Sequence, residues 1–391
     1  MTGSLTGSSA LELAVYDSSG TFNLTGDASG FTGSLTTASS ITTNLAAGTY
    51  NFSSLTPNGT LNLASGTRVN VTGVASGSSL LAILRNTVGN ATVISKIGGD
   101  IELLMGGVSP TIRANHTISG PGSRQAVRLN SNTGGATTTT VDGGRTLALD
   151  KGALLRLESH STLKVCGALT IDNDTLQLGH WSVGAYEGKL LIEGGDVSIK
   201  NFELLGGSAN SSAHSSVVMN SGTLKLTGAG NAFSNVGEAA SRTTYVDVAL
   251  NGGVIKTEGN SWTLNRNATI GGIEVQTGTG RITLGNSDTT MLLRGTITNE
   301  GNLGLAGTAT VDLTDKTAFK LYNGRGSANE YSGTGNYSGS GFLIGDTAQY
   351  YLVKGGENRS LTGAFSTLNG ADVVENAETG SVVISAAAEL W

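Results

Sequence analysis

The residues with the widest capacity for chemistry are four histidines in the middle of the chain: His116, His160, His180 and His214. His160 and His180 are about 20 residues apart, a spacing that would place them on adjacent coils of a repetitive fold. A metal site would need a third ligand, for which Cys166 and Asp174 are candidates. Neither stands at a recognised zinc spacing. We therefore interpret the histidines as polar turn residues and expect no metal and no cofactor.

Three aromatic residues are the candidates for ligand binding. Trp181, Tyr186 and Trp262 could form a platform on which the apolar face of a sugar ring stacks, because an exposed aromatic face suits a pyranose. The alternative is that these side chains anchor loops against the fold, and we favour that interpretation. The three residues remain the predicted site for a glycan.

The carboxylates do not form a recognisable catalytic set. The densest group is spread over turns: Asp172, Asp174, Glu187, Glu193 and Asp196. Carbohydrate-active enzymes need clustered acids for acid and base work, often with a basic residue nearby. Aspartate in turns is commonly a local hydrogen-bonding choice, and we favour that reading. The chain also lacks a phosphate-binding loop and a nucleophile elbow, so we assign no catalytic residue.

Composition limits the class of protein. The 391 residues include 59 glycines, 3 prolines and only 13% charged residues, while Leu, Val and Ile recur throughout. This combination predicts neither disorder nor collagen, and favours one elongated repetitive domain. The net charge of −6 without a basic cluster argues against nucleic-acid binding. The single cysteine, Cys166, excludes a disulfide within the chain, and no apolar run approaches a membrane span.

Short alternating runs predict the elements that must position these residues. Between Thr146 and Leu205, segments of four to six residues have apolar residues two apart and end in Gly, Asn, Asp or Ser. Examples are Gly152–Leu157, Thr162–Val165 and Gly188–Ile192. This pattern is typical of strands separated by tight turns. With starts every 9 to 15 residues or so, two or three strands make a coil of about 20 to 30 residues.

The same pattern extends over most of the chain. We predict a strand for the apolar run Ser79–Leu84, for which a single helical turn is the alternative. Residues 86–145 are less regular, with loops that hold Pro110, His116 and Pro121. The fold class that follows is all-β, a right-handed parallel β-helix. Residues 1–321 would form its body, and residues 322–391 would form a loop and a C-terminal β-rich cap.

Residues 20–36 carry a resemblance to a known family. The string Gly-Thr-Phe-Asn-Leu-Thr-Gly-Asp-Ala-Ser-Gly-Phe-Thr-Gly-Ser-Leu-Thr resembles the autotransporter-associated β-strand repeat of bacterial surface and secreted proteins. We expect Gly26, Gly30 and Gly33 to adopt positive φ at corners, and Phe31 to fill the bend. The close match covers about seventeen residues, and later units agree in general pattern. The segments after Tyr350 are similar to the end of an autotransporter passenger.

The resemblance implies a bacterial cell-surface or secreted passenger that acts as a structural or adhesive rod and presents loops to a host or matrix glycan or protein. The first residues lack the features of a signal peptide, and we expect signal peptide and anchor to lie outside this fragment. The alternative is a carbohydrate-active enzyme of the lyase or hydrolase type, with its site on loops within residues 86–215. A self-associating matrix protein is a third possibility.

Overall fold

The computed structural model describes most of the chain up to residue 311 and shorter segments beyond it. The described residues are 4–16, 18–131, 135–180, 187–205, 214–236, 246–286, 288–305, 308–311, 320–323, 349–353, 371–376 and 381–386. They fall into two compact units. The first holds residues up to 190 together with 195–199, and the second holds 191–194, 200–205 and the residues from 214 onward.

The first unit is built from short strands and one helix. These are β1 (Leu11–Leu13), β2 (Gly20–Leu24), β3 (Leu35–Thr37), β4 (Ile41–Leu45), β5 (Gly48–Phe52), β6 (Leu55–Pro57), β7 (Leu61–Leu63), β8 (Thr67–Val74), α1 (Gly77–Asn86), β9 (Thr87–Lys96), β10 (Ile101–Leu104), β11 (Thr111–Ser119), β12 (Gln125–Asn130), β13 (Thr137–Val141), β14 (Thr146–Asp150), β15 (Ala153–Glu158), β16 (Ser161–Val165), β17 (Ala168–Ile171), β18 (Leu176–Gly179) and β19 (Gly188–Ile199), of which residues 191–194 belong to the second unit.

Strands of successive coils pair in parallel and form three stacks. One runs β2–β4–β7–β9, and a second runs β5–β8–β9–β11–β14–β17–β19. The third comprises β1–β3–β6 and, further along the chain, β10–β12–β15–β18. Leu11 pairs with Leu35 and Leu35 with Leu55, a repeat of roughly 20 residues that is typical of solenoids. The prediction of an all-β fold with parallel sheets is confirmed.

The alternation of side chains explains why these segments form strands. In β16, Ser161, Leu163 and Val165 are buried, whereas Thr162 and Lys164 between them are half-buried. Inward aliphatic residues of successive coils lie in register, as Leu155 does with Val127 and Leu176. Each fully buried aliphatic side chain contributes about 1.5–3 kcal/mol. Strand pairing and burial therefore favour the same register.

Aromatic residues fill the interior of the first coils. Phe31 packs edge-on against Phe52 with ring centroids 6.0 Å apart, and Tyr50 stacks on Phe52 at 6.5 Å. Phe31 is 4% exposed, so the prediction that it fills the bend is confirmed. The expected positive φ at Gly26, Gly30 and Gly33 is wrong, because none of them adopts it. A Cβ on Gly33 would lie 1.9 Å from the carbonyl oxygen of Ser9, so close chain approach is what requires glycine there.

Asparagine side chains on the outside of the first stack form an amide ladder, defined by Asn23, Asn44 and Asn62. The three residues occupy the same register on β2, β4 and β7. Asn44 Nδ2 donates to Asn23 Oδ1 at 2.6 Å, and Asn62 Nδ2 donates to Asn44 Oδ1 at 2.8 Å. Because identical side chains repeat at the strand spacing, each amide donates to the one before it.

The predicted strand over Ser79–Leu84 is wrong, since this run lies within the helix α1. Ser76 caps the helix by accepting from Ser79 N at 3.2 Å, and Ser79 Oγ accepts from Ser76 N at 2.9 Å. Such reciprocal caps favour helix initiation. Leu80, Ile83 and Leu84 are buried at helical spacing. The helix packs against β6, where one sheet ends, and β10, where the next begins.

The second unit is also made of strands. They are β20 (Phe202–Leu205), β21 (Ser215–Leu226), β22 (Gly230–Asn231), β23 (Phe233–Val236), β24 (Val246–Leu250), β25 (Gly253–Lys256), β26 (Trp262–Leu264), β27 (Ala268–Leu284), β28 (Thr290–Leu305), β29 (Thr308–Val311), β30 (Lys320–Asn323), β31 (Gln349–Val353), β32 (Ala371–Asn376) and β33 (Ser381–Ala386).

Most pairings in the second unit are again parallel and in register. Phe202 pairs with Phe233, and their rings stack with centroids 4.8 Å apart. The last strands differ, because β33 pairs antiparallel with both β31 and β32. Across the described residues, no helix combines the length and apolar character needed to cross a membrane.

Candidate functional site

The outer face of the sheet β10–β12–β15–β18 carries a group of charged and polar side chains that we call the Glu158 cluster. Its members are Glu102, Arg128, Asn130, Arg156, Glu158 and His180. The register of the strands brings them together: Glu102 pairs with Arg128, Arg128 with Arg156, and Asn130 with Glu158. His180 follows β18 directly. All six lie in the first unit.

Arg128 is the centre of the cluster. Its Nη1 lies 3.3 Å from Glu158 Oε1, and its Nη2 lies 3.5 Å from Glu102 Oε2. Asn130 Nδ2 donates to the other oxygen of Glu102. One guanidinium therefore joins two carboxylates that belong to different coils, as its fork of donors allows.

Glu158 is the most buried member. Its side chain is 0% exposed, while those of Arg128 and Glu102 are 24% and 30% exposed. Burial raises the pKa of Glu158 to about 7, although Arg128 and Arg156 act to lower it and Glu102 adds to the rise. A carboxyl with a pKa near neutrality can give or take a proton under physiological conditions.

His180 lies at the edge of the cluster. Its Nε2 is 3.9 Å from Glu158 Oε2, and its side chain is 27% exposed. Burial lowers the pKa of His180, and Arg128 and Arg156 lower it further, while Glu102 acts in the opposite direction. Towards β18, Arg156 Nε donates to Gln177 Oε1 at 2.8 Å, and both side chains are buried.

His160 and His180 follow β15 and β18, and these two strands pair, so the two histidines lie on adjacent coils as predicted. His160 ends the turn after β15, and its Nδ1 lies 2.9 Å from Glu187 Oε1. Asp174 is held elsewhere by Arg124, whose Nε donates to its two oxygens at 2.9 and 3.0 Å. Within the described ranges, no three His, Cys, Asp or Glu residues are grouped to hold a metal ion.

The other predicted residues have separate environments. Asp174 Oδ1 accepts from Thr175 N at 2.7 Å, the local turn bond expected of aspartate, and Cys166 is half-buried. Glu193 accepts from Asn220 at 2.6 Å in the second unit. The five carboxylates singled out from the sequence therefore do not form one group among the described residues.

His116 is placed differently from the prediction. Instead of lying in a loop, it occupies the interior side of β11 between Val93 and Leu147 and is 2% exposed. Burial lowers its pKa to about 3, so it is neutral. Its Nε2 has no hydrogen-bond partner in the described structure. His214, in the second unit, contacts Asp247 Oδ1 at 3.1 Å.

The aromatic platform is only partly within the described residues. Trp262 opens β26 and is 3% exposed, so its ring is enclosed by the protein. Trp181 and Tyr186 lie outside the described residues, and sugar stacking on them stays a prediction. Comparison with family models, with curated proteins and with solved structures found no match.

Proposed function

We propose that this chain is the passenger of a bacterial cell-surface or secreted protein, a structural or adhesive element that presents loops to a glycan or protein ligand. In this proposal the fold is a right-handed parallel β-helix with a C-terminal β cap. The observation that carries it is the in-register stacking of parallel strands, each coil repeating the hydrogen bonds and side-chain columns of the one before. The resemblance of residues 20–36 to autotransporter repeats supports the same conclusion.

The physical support comes from how such stacks resist unfolding. Successive coils share backbone hydrogen bonds, buried aliphatic columns and the amide ladder, so opening one coil exposes groups on two others. A protein that works outside the cell without a disulfide needs stability of this kind, and the chain has one cysteine. Parallel crossovers are almost always right-handed, which supports the proposed handedness. The antiparallel strands β31, β32 and β33 support the proposed cap.

The adhesive role is tested with beads coated with the purified chain. The beads are exposed to immobilised glycans, to extracellular matrix proteins and to host cells, and retention is counted under flow. We expect retention on at least one glycan or matrix protein, together with survival of the chain under protease digestion. Beads that are retained nowhere would contradict adhesion. Sedimentation of the same sample tests self-association.

A second candidate function is a carbohydrate-active enzyme. One observation favours it: Glu102 and Glu158, two carboxylates, share Arg128 on one sheet face, and the pKa of Glu158 is about 7. Glu158 could act as the acid or base only if a substrate reached its buried carboxyl, which is why we place this function second. Turnover of a polysaccharide panel by the wild type, lost in Glu158→Gln, would support it. Absence of turnover across the panel would contradict it.

A further inference from the structure

The outer face of four neighbouring strands in the second stack carries only small, uncharged side chains. We call it the threonine face, and its residues are Thr92 and Ile94 on β9, Asn115 and Thr117 on β11, Thr146 and Ala148 on β14, and Ala168 and Thr170 on β17. All eight are half-buried, as expected of outward positions on a sheet. The whole face lies in the first unit.

The strand register arranges these side chains in two parallel columns. One column is Thr92, Asn115, Thr146 and Ala168, and the other is Ile94, Thr117, Ala148 and Thr170. Neighbours within a column are about 4.8 Å apart, and the two columns are about 6.6 Å apart, because side chains on one face of a strand are two residues apart. The inward residues between the columns, such as His116 and Leu147, are buried. The face is therefore a regular two-dimensional array.

The hydroxyl groups of the array are available to an outside partner. The side chains of Thr92, Thr117, Thr146 and Thr170 make no hydrogen bond within the described part of the chain, and their oxygens are open to solvent. Each hydroxyl can donate one hydrogen bond and accept two. Each threonine also presents a methyl group beside its hydroxyl, so polar and apolar contacts alternate across the face.

The array carries no charge, although charged residues surround it. Arg68 on β8 borders it on one side and Asp196 on β19 borders it on the other. Lys96 and Asp150 stand at the carboxyl ends of β9 and β14. In a protein with a net charge of −6, an uncharged area of four strands is complementary to an uncharged partner.

We propose that the threonine face binds the surface of ice. Ice is an uncharged solid whose surface repeats in two dimensions over distances comparable to those of the array, and its water molecules donate and accept hydrogen bonds as hydroxyl groups do. The methyl groups order the water beside them, and the hydroxyl groups fix that layer in position. Because strand pairing holds the array in place before ice is present, binding requires little ordering of the protein.

Two other partners fit this face less well. Sugar chains are held by aromatic rings together with convergent polar groups, and the face has no aromatic residue. Its only amide, that of Asn115, already accepts from Thr146 N at 3.0 Å. A second copy of the chain would need large apolar anchors at the centre of the contact, and Ile94 is the single large hydrophobic residue of the eight. Ice binding goes beyond the proposed adhesive function and does not depend on it.

The test is thermal hysteresis, the gap between the melting and freezing points of a small ice crystal in a solution of the protein. A second measurement is incorporation of the protein into slowly growing ice. We expect both for the wild type. Thr117→Lys, which places a charge in the middle of the array, should lose the thermal hysteresis, and Thr170→Lys, at its last strand, should lose part of it. Circular dichroism verifies that each variant is folded.

Thr162→Lys is the matched control, because Thr162 is a half-buried outward threonine on β16, beside Lys164 and outside the array. It should keep the thermal hysteresis of the wild type. The inference is overturned if the wild type shows no thermal hysteresis and stays out of ice, or if both array variants behave like Thr162→Lys. It is equally overturned if Thr117→Lys abolishes only self-association in sedimentation, or only binding to insoluble cellulose or chitin. Bead retention is measured independently, so the adhesive function can stand when ice binding fails.

Discussion

The amide ladder and the Glu158 cluster are both columns of polar side chains on parallel strands, and they differ in how their hydrogen bonds are satisfied. In the ladder, Asn44 donates to Asn23 and accepts from Asn62, so identical groups complete one another. In the cluster, the same kind of register brings two carboxylates and two arginines together. Two of the buried atoms there, Glu158 Oε2 and Arg128 Nε, have no hydrogen-bond partner in the part of the chain that is described.

The difference teaches that the same strand register can build a column that is insensitive to pH and one that titrates. A column of identical neutral amides is complete in itself and needs no ligand. A column of unlike charged groups is only partly complete, and the charge of its buried carboxyl depends on pH. The two columns should therefore respond differently to substitution and to pH.

The largest effect is expected in the aromatic interior of the first coils. Phe52→Ala would remove a ring that is 1% exposed and contacts Phe31 and Tyr50. We expect a loss of about 3–5 kcal/mol in the free energy of unfolding, because a large cavity would remain. Urea denaturation followed by circular dichroism measures it. Phe22→Ala, at a half-buried ring of the first coil, serves as the control and should lose clearly less.

His116, a buried histidine outside both columns, should make the free energy of unfolding depend on pH with a predictable sign. The pKa of His116 is lowered to about 3 in the folded state from an ordinary 6.5. Its contribution to stability is therefore complete above pH 6.5 and is lost as the pH falls towards 3. The slope approaches about 1.4 kcal/mol per pH unit, which amounts to about 2 kcal/mol between pH 6.5 and 4.5. Denaturation at several pH values should show His116→Leu lacking this slope. An equal slope in both proteins would refute the assignment.

The contribution of Glu158 to the free energy of unfolding should depend on pH with the opposite sign. Its folded pKa, about 7, exceeds the ordinary value of 4.5. The stability it contributes is complete below pH 4.5 and is lost as the pH rises through 7, at up to about 1.4 kcal/mol per unit. The difference in unfolding free energy between wild type and Glu158→Gln should change by about 2 kcal/mol from pH 5 to 7. Glu12→Gln, at an exposed position of β1, should show no such change.

The smallest effect is expected in the ladder itself. Asn44→Ala would remove two amide hydrogen bonds at a half-buried site, at a cost of about 1–2 kcal/mol. Asn62→Ala, at the end of the ladder, would break only the bond that Asn62 donates to Asn44 and should cost about half as much. Both losses should be independent of pH between 5 and 8, and a pH-dependent loss would contradict the neutral ladder. Thermal melts of the two variants provide the measurement.

Much of the fold could be predicted from the sequence because each strand is indicated by the alternation of apolar and polar residues within a few positions. Thr162–Val165 and Gly188–Ile192 fall within β16 and β19, and burial alternates along both, with Leu191 half-buried between the buried Leu190 and Ile192. The run Ser79–Leu84 was harder, because a continuous apolar segment fits a buried strand or a helix equally well. The serines three residues apart, Ser76 and Ser79, were the signal for a helix cap.

The Glu158 cluster could not be predicted in the same way. Glu102, Arg128 and Glu158 are separated by 26 and 30 residues of chain, with unequal loops between them. Their meeting depends on strand register, which no local pattern specifies. Burial of Glu158 was equally hidden, because a charged residue in an alternating run is normally assigned to the solvent side.

The position of α1 has a practical consequence for protein engineering. Because β6 and β10 both pack against the helix and belong to different sheets, the polypeptide between them already departs from the repeating pattern. Foreign peptides grafted after Asn86 or before Ser76 would enter at a helix that already interrupts the run of strands. That makes the junction the first choice for displaying an epitope on this scaffold.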